Sequence, residues 1–298
     1  MPKICESEIE KMAIEELQSL GFSYIAGVDI APGEPLAERN SYRDIILKDR
    51  FVKALEKLNP EIPRDIIDTA AKKVMRISTG NLIVDNETFH NYLIEGVPVE
   101  YRKGNSIKGD HVRLIDFDNS DPFTNNEFLV INQYTIIENG NNKRPDILLF
   151  INGIPMVIFE LKNPADENAT IQKAFDQIGT YKGLIPSLFV FNEICIISDG
   201  LESKAGSLTA PYSRFTSWKT KDGIKDSSRY EDELSTLING LCPPKTLLDY
   251  IQNFITFEKA KTEDKLTKIT KVETQKKIAA YHQYYAVNKA IESTLAAA

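Results

Sequence analysis

Residues 144–181 read RPDILLFINGIPMVIFELKNPADENATIQKAFDQIGTY. Asp146 opens an apolar run over 147–151, and Asn152-Gly153 is a turn signal. A second apolar run over 156–161 carries Glu160 and is followed at once by Lys162. Asn163-Pro164 breaks that run. Residues 167–184 then show helical spacing, with Gln177 and Tyr181 four positions apart on one face.

Side chains alternate along a strand, so Ile158, Glu160 and Lys162 share one face while Val157, Phe159 and Leu161 share the other. Burying an acid or a lysine alone is costly. A pair that also binds a divalent cation relieves that cost. Asp146 lies fourteen positions before Glu160, on the partner strand of the hairpin. Two carboxylates and a lysine at one strand end make an oxygen-rich site suited to Mg²⁺, for which Mn²⁺ is the expected substitute. Such an ion acidifies a bound water and polarises a phosphodiester. Lys162 is expected to orient the water or to neutralise charge at the phosphorus.

Register constrains this reading. A regular two-residue turn at Asn152-Gly153 pairs Ile151 with Ile154, and so Asp146 with Phe159, on the wrong face for sharing a metal with Glu160. The expectation is therefore a three-residue loop with Gly153 in the left-handed region, or a bulge near Pro155, which has no N–H for the ladder.

Asp146, the Glu160-Leu161-Lys162 triplet and the Gln177/Tyr181 pair together resemble the PD-(D/E)xK nuclease fold. Within it they are similar to the N-terminal nuclease domain of the R (HsdR) subunit of type I restriction enzymes. The similarity extends through NEFLVINQ at 126–133, GSLTA at 206–210, YHQY at 281–284 and AVNKA at 286–290. It implies an α/β architecture: a PD-(D/E)xK restriction-endonuclease-like core with a mixed central sheet flanked by helices, an N-terminal helical insertion and a C-terminal helical extension. The endonuclease domain is expected over 1–230. A helical linker over 231–298 is expected to lead to a motor domain absent from this chain.

The resemblance further implies Mg²⁺-dependent hydrolysis of DNA, a double-strand cut made without local sequence reading after ATP-driven translocation. Asp146 and Glu160 hold the metal in that scheme, Lys162 assists the water or the phosphate, and Gln177 and Tyr181 support the site or contact DNA. The first helix of the family often supplies a further glutamate, for which Glu8 is the candidate and Glu15 the rival. Gln283 resembles the glutamine that reads adenine ahead of a phosphate loop, with ATP bound only in the full-length subunit. An arginine is common in the family where Lys204 stands. The implied partners are double-stranded DNA and the methyltransferase (M) and specificity (S) subunits. A catalytically silent scaffold for DNA threading and subunit docking is the alternative, and metal binding separates the two. A nuclease of another system, such as repair, fits segments 206–210 and 281–290 less well.

Composition bounds these readings. The 298 residues are 42% hydrophobic and 27% charged, as in soluble globular proteins. No apolar run is long enough to span a membrane, and no signal peptide opens the chain. The scattered Cys5, Cys195 and Cys242 fit a reducing cytoplasm. No C-x-x-C or histidine cluster points to zinc. A net charge of −7 argues against strong stand-alone DNA binding and suggests that other domains or subunits deliver DNA. No G-x-x-x-x-G-K-[ST] occurs.

Along the chain, 6–20, 42–58 and 63–76 read as amphipathic helices. Arg43, Lys48, Arg50, Lys53 and Lys57 read as a charged surface, with DNA contact as the rival. Short strands are expected at 97–101 and 111–117, around a polar loop at 103–110. Residues 128–138 read as one strand, forming an antiparallel meander with 146–151 and 156–162. Two more strands are expected at 188–191 and 194–198, then loop over 199–220. Residues 231–258 read as helix broken at Pro243-Pro244, and helix is expected again from about 274 within a lysine-rich tail.

Overall fold

The computed structural model describes residues 6–118, 120–163, 170–228, 231–263 and 270–297. In chain order the elements are α1 (Glu6–Ser19), β1 (Ser23–Ala26), α2 (Lys48–Leu58), α3 (Arg64–Met75), α4 (Leu82–Glu95), β2 (Val97–Lys103) and β3 (Ser106–Val112). Then come β4 (Phe128–Asn132), β5 (Ile136–Glu138), β6 (Asn141–Lys143), β7 (Ile147–Ile151), β8 (Ile154–Leu161), α5 (Ile171–Leu184) and α6 (Pro186–Phe189). The chain continues with β9 (Ile194–Ser198), β10 (Ser203–Gly206), α7 (Glu233–Leu241), α8 (Pro244–Asn253), β11 (Ile255–Glu263), β12 (Thr270–Ile278) and α9 (Tyr281–Ala297).

One mixed sheet of order β1-β4-β7-β8-β9-β10 organises the molecule. The expected meander is its centre: β4, β7 and β8 pair antiparallel in turn. β1 joins β4 in parallel, and β9 joins β8 in parallel after the α5 crossover. Every residue of β7, β8 and β9 is buried, which accounts for their unbroken apolar runs. Helix α1 packs on β1, β4 and β8, and α5 packs on β8 and β9, so helices flank the sheet. Leu237, Ile238, Leu247 and Ile251 of α7 and α8 join the same apolar core. Trp218 sits beside them, with the rings of Tyr250, Tyr281, Tyr284 and Tyr285 around it.

The β7–β8 register resolves the parity problem. Asn152 (φ 52°) and Gly153 (φ 78°) form a two-residue turn with both residues left-handed, and Ile151 pairs with Ile154. The pairing then shifts between Leu149 and Phe150: Phe150 faces Pro155 but Leu149 faces Val157. Met156 is the extra residue of this bulge. Beyond it Ile147 faces Phe159, which puts Asp146 level with Glu160.

Several elements differ from the sequence expectations. Residues 128–138 are not one strand: Gln133 has φ 50°, β4 stops at Asn132, and β5 pairs with β6 instead. Residues 186–189 form a helical turn rather than a strand, opened by Pro186, whose fixed φ suits a first helical position. The loop expected at 103–110 is mostly hairpin, since β2 pairs with β3 up to Lys103↔Ser106. β3 is largely exposed and so lacks the apolar alternation of a half-buried strand. Residues 42–47 precede α2 as irregular chain, with the Asp44 carboxylate accepting from the N–H groups of Asn40 and Ser41. Residues 255–258 and 274–278, expected as helix, lie in the antiparallel pair β11–β12, and the expected C-terminal helix is described from Tyr281 as α9. The expected start of the crossing helix at 167 lies outside the described residues, and α5 is described from Ile171 with Thr170 as its cap. β1, β10 and α4 were not anticipated.

The turn is clamped from outside. Gly153 O accepts from Leu47 N at 2.9 Å, and a Cβ on Gly153 would lie 2.7 Å from Leu47 O. Gly33 has a similar φ of +92° with nothing within 4 Å. Gly153→Ala should therefore cost about 3 kcal/mol of unfolding free energy in urea titrations, against about 1 kcal/mol for Gly33→Ala.

Candidate active site

Asp146, one residue before β7, is 7% exposed; its Oδ2 accepts from Leu161 N at 2.7 Å and its O from Gln133 N at 2.9 Å. Glu160 on β8 is 1% exposed. Its Oε1 accepts from Lys162 Nζ at 2.5 Å, while Oε2 is buried without a hydrogen-bond partner among the described residues. Lys162 follows the strand end, held by its N–H to Ser198 O at 2.8 Å, and its Nζ also reaches Leu161 O at 3.0 Å. On α5, buried Tyr181 faces Glu160 with Gln177 beside it.

These five side chains line one groove of about 760 Å³, together with Glu6, Glu10, Asn132, Gln133 and Arg144. Glu8 does not line the groove. It is exposed, and the helical repeat of α1 turns Glu6 and Glu10, four apart, toward the sheet. Glu10 accepts from Asn132 Nδ2 and Gln133 Nε2, each at 2.6 Å. Glu15 is also exposed and pairs with Lys11 at 3.7 Å. Sequence reasoning missed Glu6, Glu10 and Gln133. The i, i+4 acids were a legible signal; the left-handed break at Gln133 was not.

Other candidates stand apart from the groove. Gln283 accepts from Ala280 N at 2.8 Å and so closes the first turn of α9. Lys204 pairs with Glu202 at 2.8 Å and donates to Tyr212 Oη at 3.1 Å. Arg50 is held between Glu38 and Glu127, and Lys57 donates to Thr124 O at 2.7 Å. None of these lines the groove.

Burial dominates the electrostatics. It pushes the Asp146 carboxyl up to about 6, against the opposing pull of the Leu161 N–H and Lys162. Burial and then the Asp146 charge push Glu160 up to about 8, more than Lys162 offsets. Burial pulls Lys162 down, but Glu160, Asp146 and Glu6 outweigh it, so its pKa is raised and it stays an ammonium. The Tyr181 hydroxyl is raised by burial and by Glu160. Two crowded carboxyls with one unpartnered oxygen make a site that gains from a cation. Among the described residues no group of three or more His, Cys, Asp or Glu gathers as a ready metal cage. Mg²⁺ needs none: it commonly takes one or two carboxylates and keeps several waters. The donor set fits it better than zinc, which prefers nitrogen and sulfur.

The pH dependence has a definite sign. Both carboxyls bind protons more tightly folded than at their ordinary values of 3.8 and 4.5. Their contribution to stability is present at acid pH and lost as pH rises through about 6 and then about 8. The unfolding midpoint of cation-free protein should fall over that window. Glu160→Gln should flatten the upper part of the fall, as scanning calorimetry at stepped pH would record.

The family model described as Type I restriction enzyme R protein N terminus matches residues 3–214. The type I restriction enzyme HindI endonuclease subunit of Haemophilus influenzae is 43% identical, over 97% of this chain and 27% of that protein. A Methanocaldococcus jannaschii protein with the provisional name type I restriction enzyme MjaIXP endonuclease subunit is 35% identical, over 96% of this chain and 27% of its own length. The chain thus spans about a quarter of the length of the curated relatives it matches. The matched span 3–214 contains every residue of the groove, and on that match the chain belongs to the N-terminal family of type I restriction enzyme R proteins.

Proposed function

We propose that this chain is a PD-(D/E)xK-type, Mg²⁺-dependent endonuclease domain that hydrolyses DNA phosphodiester bonds. The observation that carries the reading is the bulge-set alignment of Asp146 with Glu160, whose Oε2 lies buried and unpartnered beside Lys162. Asp146 and the free oxygen of Glu160 would hold the ion. A bound Mg²⁺ would supply an acidified water and charge neutralisation at the phosphate. Lys162, an ammonium 2.5 Å from Glu160, would orient the attacking water or offset charge growing on the phosphoryl oxygens. Tyr181 and Gln177 wall the site on the α5 side. Glu6 and Glu10 make the rim acidic, so a DNA phosphate approaches favourably only once a cation is present.

In the relatives' terms, the domain would act within a type I restriction enzyme. It would cut both strands without reading local sequence, after an ATP-driven motor outside this chain has moved the DNA. Methyltransferase and specificity subunits would choose the site. A cytoplasmic setting follows from that role; among the described residues no helix is long and apolar enough to cross a membrane.

Calorimetric titration with Mn²⁺ should show binding to the wild type that vanishes in Asp146→Ala. Asp146→Ala, Glu160→Ala and Lys162→Ala should each abolish cleavage by the assembled complex, by about 10³-fold or more, and leave ATP hydrolysis intact. Gln177→Ala and Tyr181→Ala should lower it less. Cleavage retained in Glu160→Ala refutes the assignment, and wild type that binds no cation favours a silent scaffold.

A further inference from the structure

The carbonyl of the bulge residue Met156 faces the turn that leads into β9. It accepts from Glu193 N at 2.7 Å and from Asn192 Nδ2 at 3.4 Å. The same turn receives one buried cation from far along the chain. Lys276 on β12, 1% exposed, donates through Nζ to Asn192 O at 2.8 Å and to Glu193 Oε2 at 2.6 Å. His90 Nδ1 on α4 lies 3.0 Å from that same carboxylate oxygen. Burial pushes the Glu193 carboxyl up, but Lys276 and His90 together hold it below the ordinary range.

The main chain of Lys276 is gripped as well. Its N–H donates to Thr209 Oγ1 at 2.9 Å, and its carbonyl accepts from Ser207 Oγ at 2.5 Å and Thr209 Oγ1 at 3.0 Å. These hydroxyls belong to GSLTA at 206–210, a segment the groove does not use. A buried ion pair of this kind contributes little net stability compared with apolar residues of similar volume. It does impose direction: Asn192 O and the Glu193 carboxylate must sit where one ammonium can reach both.

We propose that Lys276 is a positioning residue for the Asp146–Glu160 pair, acting through the 192–193 turn on the Met156 carbonyl and so on the bulge that aligns the two acids. The inference rests on reading that pair as a cation site. It also means that alignment within the matched span 3–214 depends on a residue well outside it.

The test uses the whole chain and Mn²⁺ as probe. Titration calorimetry and amide hydrogen exchange would be run on wild type, Lys276→Met, the double variant Lys276→Met/Glu193→Leu, and Val74→Ala. Val74→Ala opens a cavity in α3 remote from the groove and controls for lost stability alone. Lys276→Met should weaken Mn²⁺ binding about 10- to 100-fold, the scale seen when supports of metal ligands are removed. The double variant, which leaves no lone buried carboxylate and so folds even where the single one does not, should weaken it likewise. The Glu193 and Leu161 amides should exchange faster in both. Val74→Ala should melt earlier with unchanged affinity. Unchanged affinity in a folded Lys276 variant overturns this proposal alone. Wild type that binds no Mn²⁺ overturns the cation-site reading, and the proposal with it.

Discussion

Between Leu149 and Phe150 the pairing of β7 with β8 slips by one residue, and the groove depends on that slip. The side-chain period of a strand is two, so a one-residue change of register exchanges the faces. Without Met156 as the extra residue, Asp146 would stand level with Phe159 and point away from Glu160. Asp146 would then be buried away from both Glu160 and Lys162, and Glu160 would keep only Lys162. The bulge is built from local chemistry: Pro155 cannot donate to the ladder, and the displaced Met156 carbonyl is taken up by Glu193 N. At the other end, Asn152 and Gly153 close the hairpin in the left-handed region while α2 presses on the turn. The slip is therefore confined to a short stretch and cannot migrate.

The groove sets two ionisable acids against a largely apolar core. Asp146, just before β7, and Glu160, in β8, sit at the most deeply buried part of the sheet, where ionisation is disfavoured, and Lys162 compensates only in part. Local disagreement of this kind is what sequences tolerate where a site has a task beyond stability. The fully buried strands packed around it hold the acids side by side despite their mutual repulsion.

Legibility followed burial. Strands buried on both faces announced themselves as apolar runs, and Asn152-Gly153 announced its turn, so the centre of the sheet and the acid–acid–lysine set could be read directly. Parity alone required a bulge or a longer loop. What escaped notice was set by tertiary contact. The run at 188–191 is apolar because it is buried at the end of α6 and in the turn that follows, and periodicity cannot tell four such residues from a strand. In β12, Thr274, Lys276 and Ile278 point inward while Glu273, Gln275 and Lys277 are exposed. That alternation of two was hidden because its central inward residue is a lysine. Glu8 was chosen on resemblance, whereas the placement of α1 on the sheet turns Glu6 and Glu10 toward the groove.

The aromatic cluster around Trp218 has an optical consequence. This is the only tryptophan in the chain, 3% exposed, and its tyrosine neighbours come from α8 and α9, at centroid distances of 5.9–6.2 Å. Tyrosine emission at that range transfers to the indole, and the indole emits from an apolar enclosure. Seating of α9 against the body of the domain is thus written into intrinsic fluorescence. A lifted α9 would shift the emission to the red and uncouple Tyr281, Tyr284 and Tyr285 while leaving Tyr250, giving a spectroscopic record of that helix with no added label.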